Sequence, residues 1–223
     1  MDEILTLETK AQPLYVPHGQ NSWDHVLQVR ENMQRMTLEL EGRLLELPEH
    51  AAALFHDCSI KPRRMDKTSH GYWSAEIATH ILAMTGLFSY EELCRIHEAI
   101  YQHDVLDKKG GPFASQLGDL LASGDCNPPD FAWICNKSWC WGIKNGLTPD
   151  ERVTNIVTRM PGVYGSKAPT GYPSYYRRYY KDQLAAMQQA FDTITPEKVY
   201  EIVMEYRQSH GIIGDTIMMP DPE

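Results

Sequence analysis

Apolar residues recur along this chain at three- and four-residue intervals, the period of an amphipathic helix. Nowhere do they alternate long enough to propose a sheet. Val26, Val29, Met33, Met36 and Leu40 form one such stripe, which predicts a long helix over residues 22–46, entered at Ser22. A shorter helix starts near Pro48 and runs into His56. Residues 71–85 form a third, closed by Gly86, with Trp73, Ile77, Ile81 and Met84 as its stripe. Ser89 and Glu92 make a capping box for a fourth that reaches about His103, and Phe113–Gly124 is a fifth.

Beyond Asp125 the pattern changes. Cys126–Asn145 holds Pro128, Pro129 and three of the five tryptophans with little periodicity, and reads as irregular but packed. Thr148-Pro149-Asp150-Glu151 is a strong helix start, with proline at the first helical position. Pro161–Ser174 reads as a Gly/Pro-rich loop. Two helices follow, about Ser174–Phe191 and Pro196–Ser209, the latter stopped by Gly211. The predicted class is all-α: an N-terminal arm (1–20), a helical core (21–126), a helical C-terminal extension packed on that core (127–211) and a loose acidic tail (212–223).

A chain of 223 residues can bury a sizeable core. Its 21 Lys and Arg against 30 Asp and Glu give a net charge of −9, which argues against a nucleic-acid backbone as the main partner. The longest apolar run, Ala51–Phe55, is far too short for a membrane span. Met1–Lys10 has no apolar core of a secretory signal. The five cysteines include no Cys-x-x-Cys pair, so reduced thiols and a cytoplasmic location are expected.

Nine histidines in an acidic chain need an explanation. At 100° per residue, His103 falls between Ile96 and Ile100 and faces inward, whereas His97 points away. His25 lies at the edge of the first stripe. His70 continues the stripe of the third helix, but His80 lies nearly as close to it. Asp119 points away from the Phe113, Leu117, Leu120 and Leu121 stripe, and Asp125 sits nearer its edge. One inward histidine is usually an ordinary core residue. Several on different helices are costly to bury without a shared partner, and a metal ion satisfies them together.

The linear order is His25, His56–Asp57, His70, His103, Asp125. In this order, and in Ala53-Leu54-Phe55-His56-Asp57 above all, the chain resembles the HD-domain superfamily, whose signature is a lone His, a His-Asp doublet and a distant Asp. Ser69-His70-Gly71 and Glu98-Ala99-Ile100-Tyr101-Gln102-His103 resemble the two extra histidine positions of its dinuclear members. The likeness covers roughly residues 22–126. It departs at Gly124–Asp125, where the family usually shows Ala-Asp, so Asp119 stays open as the alternative. The resemblance implies an HD-domain helical bundle, His25, His56, Asp57, His70, His103 and Asp125 as metal ligands, and a lysine such as Lys61 after the doublet. Four imidazoles and two carboxylates suit two divalent transition ions, with Mn or Fe favoured and Co, Ni or Zn accepted. Two ions would make a bridging hydroxide available and clamp a displacement at phosphorus, with Asp57 and Lys61 as the catalytic groups.

Basic residues then suggest where phosphate would lie. Lys61, Arg63, Arg64 and Lys67 follow the doublet, with Lys61 and Arg64 best placed to neutralise developing charge. Residues 152–181 carry six basic side chains and no acid, with six tyrosines. Lys167, Arg177 and Arg178 are accordingly expected to contact substrate. The expected activity is phosphohydrolysis of a nucleotide or other small phosphorylated molecule. The alternatives are a mixed-valent di-iron oxygenase, since myo-inositol oxygenase uses the same ligand set, and a non-catalytic nucleotide- or metal-binding regulatory module.

Overall fold

The structure is a computed structural model, and it describes residues 2–15, 22–59, 70–103, 113, 115–168 and 172–216. Eleven α-helices and no strands are present among the described residues, so the protein is an all-α bundle. No helix among them is long and apolar enough to cross a membrane.

The chain divides into two compact units. The first takes Met1–Cys126 with Gly171–Tyr179, and the second takes Asn127–Thr170 with Tyr180–Glu223. The first unit holds α1 (Glu3–Ala11), α2 (Trp23–Glu41), α3 (Leu47–Phe55), α4 (His70–Thr85), α5 (Tyr90–Gln102), α6 (Gln116–Asp125) and α9 (Ser174–Tyr179). Its centre is α3. Ala51 through Phe55 are all fully buried, as expected of a helix apolar on every side, and α1, α2, α4, α5 and α6 all pack against it.

Two helix pairs frame α3. α2 and α6 run antiparallel: Gln116 meets Glu41 at one end, and the Asn32 amide donates to Gly124 O (3.0 Å) toward the other. α4 and α5 form a hairpin through Gly86, whose φ of 68° suits a residue without a β-carbon. Within it α4 buries Gly71, Ser74, Ala75, Ala78 and Leu82. The expected stripe of Trp73, Ile77, Ile81 and Met84 lies outside, with Trp73 and Met84 exposed. Small residues let two helices approach closely, and so the larger apolar side chains of α4 were displaced to its outer face.

Several boundaries differ from expectation. The N-terminal residues form a true helix, capped by the Asp2 carboxylate and burying Leu7 and Ala11. α2 stops at Glu41 because Gly42 turns left-handed (φ 69°). The stretch expected to end one helix at Phe191 is broken at Tyr180, and α9 belongs to the first unit while α10 (Lys181–Asp192) belongs to the second.

The second unit comprises α7 (Phe131–Lys144), α8 (Pro149–Tyr164), α10 and α11 (Pro196–Ser209). α7 occupies the segment read as irregular. It is capped by Asp130 and buries Ile134, Cys135, Asn136, Ser138, Trp139, Cys140 and Gly142, so it is enclosed on most sides, with Lys137, Trp141 and Lys144 left as a narrow exposed strip. α8 runs on through Pro161 to Tyr164, shortening the expected loop. Residues 212–216 are not a loose tail. The buried Arg207 guanidinium donates to Gly214 O (2.6 Å) and Thr216 O (2.8 Å), and Arg152 pairs with Asp215 (2.7 Å). Residues 217–223 lie outside the described part.

Candidate metal centre

Five helix ends converge at the tip of α3. His25 occupies the first turn of α2, where its backbone N–H is capped by Ser22 Oγ (3.2 Å). His56 and Asp57 follow the last residue of α3, and His70 opens α4. His103 closes α5, and Asp125 is the last residue of α6. The antiparallel pairing of α2 and α6 brings Asp125 Oδ1 within 3.1 Å of His25 Nε2. His70 reaches the cluster although it lies on the outer stripe of α4. At the first residue of a helix the side chain tilts past the helix end, so its angular position no longer decides burial.

Asp57 is the hub. Its Oδ2 lies 3.5 Å from His56 Nε2 and 3.8 Å from His25 Nε2, while Oδ1 lies 3.4 Å from His103 Nε2 and 3.6 Å from His70 Nε2. Each carboxylate oxygen thus faces its own pair of imidazoles. Asp125 Oδ1 also approaches His56 Nε2 at 3.7 Å. Donors about 2.1 Å from one ion stand roughly 3.0–3.4 Å from one another, close to the spacings seen. His25, His56 and Asp57 form one group able to hold an ion; Asp57, His70 and His103 form another; His56, His103 and Asp125 link them.

Local chemistry fixes two of the rings. His56 Nδ1 lies 2.8 Å from Ala53 O and His103 Nδ1 lies 2.5 Å from Ile100 O. A carbonyl only accepts, so Nδ1 carries the proton and Nε2 turns its lone pair to the centre when the ring is neutral. His56 Nε2 is buried and makes no hydrogen bond of its own, the situation a metal ion resolves. Mixed imidazole and carboxylate donors fit a divalent transition ion.

Charge is balanced by protons when the chain is alone. Burial pulls the His56 imidazole down, but Asp57 and Asp125 outweigh it and hold it up at about 9. His103 is raised in the same way, against burial, by Asp57. Burial would raise the carboxyls of Asp57 and Asp125, yet His56 and His103 for the one, and His25 and His56 for the other, keep both below the usual range. His56 and His103 are enclosed, whereas the side chains of His25 and Asp125 are 29% and 31% exposed. The centre opens to solvent along that edge.

Other expected residues fall elsewhere. His80 is exposed and outside the cluster, and His97 pairs with Glu76 (3.2 Å) on the α4–α5 hairpin. The Asp119 carboxylate caps α9, accepting from Ser174 N (2.6 Å), Ser174 Oγ and Tyr175 N (3.3 Å). Lys61, Arg63, Arg64 and Lys67 lie outside the described residues. Lys167 is exposed in the second unit, and Arg177 is exposed on α9.

The substrate contact expected of Arg178 does not fit its position. Its guanidinium lies 5.6 Å over the Tyr175 ring, whose hydroxyl bonds Glu41. Glu41 and His25 occupy opposite ends of α2, about 24 Å apart at ~1.5 Å per residue.

The supporting residues left no signal in the periodicity. Ser59 Oγ donates to His70 O (3.0 Å) and Ser74 Oγ to Ser59 Oγ (2.9 Å), which clips the chain after the doublet to the first turn of α4. Gly71 packs on the end of α5, where an added β-carbon would stand 3.0 Å from Tyr101 O.

No protein-family model matches the chain, and no curated protein or solved structure is significantly similar to it.

Proposed function

We propose that this chain is a metal-dependent phosphohydrolase of the HD-domain type, acting on a nucleotide or another small phosphorylated substrate. The observation that carries the reading is the Asp57 carboxylate, with one oxygen turned to His25 and His56 and the other to His70 and His103. On that division His25, His56, Asp57 and Asp125 would hold one ion and Asp57, His70 and His103 a second, with Mn or Fe the favoured metal. Ions held there supply Lewis acidity toward a phosphoryl group and an attacking water at neutral pH.

The chain's own groups do the positioning. The carbonyl bonds of His56 and His103 fix two imidazoles before any substrate arrives, so little reorganisation remains for the reaction itself. The open His25–Asp125 edge gives a phosphate access to the centre. Lys61 and Arg64 follow the doublet closely in sequence, and we assign them to the phosphoryl oxygens.

A di-iron oxygenase would use the same donors, so the test must separate the two chemistries. The purified chain, stripped and reloaded with Mn or Fe, is screened against nucleotides and phosphoesters with phosphate release and O₂ uptake recorded together. Phosphate or pyrophosphate release without O₂ consumption, lost in Asp57→Ala, is expected. Turnover of a non-phosphorylated polyol with stoichiometric O₂ uptake in the iron-loaded chain alone would overturn the reading, as would full turnover by a folded Asp57→Ala chain.

A further inference from the structure

A helix that ends inside a core must satisfy its last carbonyls by other means. α3 ends at Phe55, at the centre of the first unit, and each freed group there has an identifiable partner. Ala53 O accepts from the His56 ring (2.8 Å) and Phe55 O from the Cys58 backbone N–H (3.3 Å). Leu54 O accepts from the hydroxyl of Tyr15 (2.9 Å), a residue 39 positions earlier in the chain. The Asp57 backbone N–H faces the same phenol oxygen. One hydroxyl therefore bonds the last turn of α3 and lies beside the residue that serves as hub of the metal centre.

Tyr15 is delivered there by its own local structure. α1 packs on α3, and the 3-10 turn Gln12–Leu14 closes with Tyr15 N donating to Gln12 O (3.2 Å), which sends residue 15 into extended backbone. Its ring rests against Trp23, the first residue of α2, with centroids 6.0 Å apart. Trp23 stands two residues before His25, so Tyr15 touches the elements that carry His25, His56 and Asp57.

We propose that Tyr15 is a positioning residue of the metal centre. Its hydroxyl holds the Leu54 carbonyl in the last turn of α3 and so sets the angle at which the chain leaves that helix toward Asp57. That angle determines whether the Asp57 carboxylate can present one oxygen to each histidine pair. Hydrogen bonds that orient ligands without touching the ion typically change metal affinity by about 10–100-fold. This proposal rests on the metal reading given above.

The test compares the wild-type chain with Tyr15→Phe, which keeps the ring against Trp23 and loses the hydroxyl. Each is loaded with Co²⁺, followed by titration and by the visible absorption of the bound ion, and the melting of both metal-free chains is recorded. Expected for Tyr15→Phe are a far-ultraviolet dichroism like that of wild type, a fall of about tenfold or more in Co²⁺ affinity, and a changed Co²⁺ spectrum. Trp23→Phe, which loosens the ring contact and leaves the hydroxyl, should lower melting and leave the Co²⁺ spectrum unchanged.

A folded Tyr15→Phe chain with wild-type affinity and spectrum overturns the proposal and leaves the metal centre standing. So does a Trp23→Phe chain that shifts both as far. A wild-type chain that binds no Co²⁺ overturns the metal reading, and this proposal with it. Should Tyr15→Phe fail to fold, p-fluorophenylalanine at position 15 fills the volume without donating and carries the same expectation. If that chain does not fold either, Tyr15 is a core residue and the proposal is wrong.

Discussion

Gly124 lies so close to Met33 that a β-carbon on it would stand 2.6 Å from Met33 Cγ and 3.0 Å from Val29 O. The bare α-carbon is what lets α6 run against α2, and the next residue, Asp125, meets His25 as a result. A methyl group here must push the helices apart or bend Met33 off its rotamer, at a cost of about 1–3 kcal/mol.

Gly124→Ala is therefore expected to lower the melting temperature and to weaken the first bound ion, because the 3.1 Å His25–Asp125 contact opens. Gly71→Ala should act on the other histidine pair, and more mildly, since its β-carbon meets Tyr101 O at 3.0 Å. Metal titration with both variants checks this. Unchanged ion affinity in a destabilised Gly124→Ala chain would show that the helix spacing serves packing alone.

The two faces of Asp57 predict a count. Wild-type protein reconstituted with excess Mn or Fe should approach two ions per chain by elemental analysis. His70→Ala and His103→Ala should fall toward one, whereas His80→Ala and His97→Ala, outside the cluster, should not. A wild-type stoichiometry of one means that His70 and His103 support a mononuclear centre.

The helical class and the order of the candidate ligands were legible because both are local. The run Ala51–Phe55 already marks a helix with no solvent face, and a His-Asp doublet at its end has nowhere to go but the core. Periodicity failed where packing overrode it. It placed the outer stripe of α4 inside, because the buried face of that helix is instead Gly71, Ser74, Ala75, Ala78 and Leu82, mostly small residues that carry little hydrophobic signal. It missed α7 because that helix buries Asn136 and Ser138 together with its apolar residues. Tyr15 was invisible for a different reason: its hydroxyl bonds the backbone carbonyl of Leu54, and a backbone partner leaves no mark in the sequence.

Asp119 and Asp125 separate on the same grounds. On α6 they are six residues apart, about 9 Å along the axis at ~1.5 Å per residue, and only the antiparallel pairing with α2 shows which end meets His25. Asp119→Ala should cost about 0.5–2 kcal/mol, the usual value of a lost helix cap, and leave metal content unchanged. Asp125→Asn should lose metal with little change in fold. Metal loss in Asp119→Ala together with retention in Asp125→Asn would reverse the assignment.

The last prediction concerns pH. In the metal-free chain the His56 imidazole titrates near 9, well above its ordinary 6.5, because Asp57 and Asp125 outweigh its burial. At pH 7 an incoming ion must displace that proton, and His103, also raised, adds to the effect. Apparent Mn²⁺ affinity should therefore rise between pH 6 and 8.5, by up to about tenfold per pH unit for each proton released. Calorimetry in buffers of different ionisation enthalpy counts those protons directly. The stability of the metal-free chain runs the other way. A histidine whose folded value exceeds its unfolded one contributes fully below about 6.5 and loses that contribution as pH rises through about 9. The carboxyls of Asp57 and Asp125, both held below 3.8, lose theirs only in stronger acid. Metal-free protein should thus melt progressively lower from pH 6.5 to 9, and metal-loaded protein should not. An Mn²⁺ affinity independent of pH over this range, with no proton release, would show that His56 binds no ion.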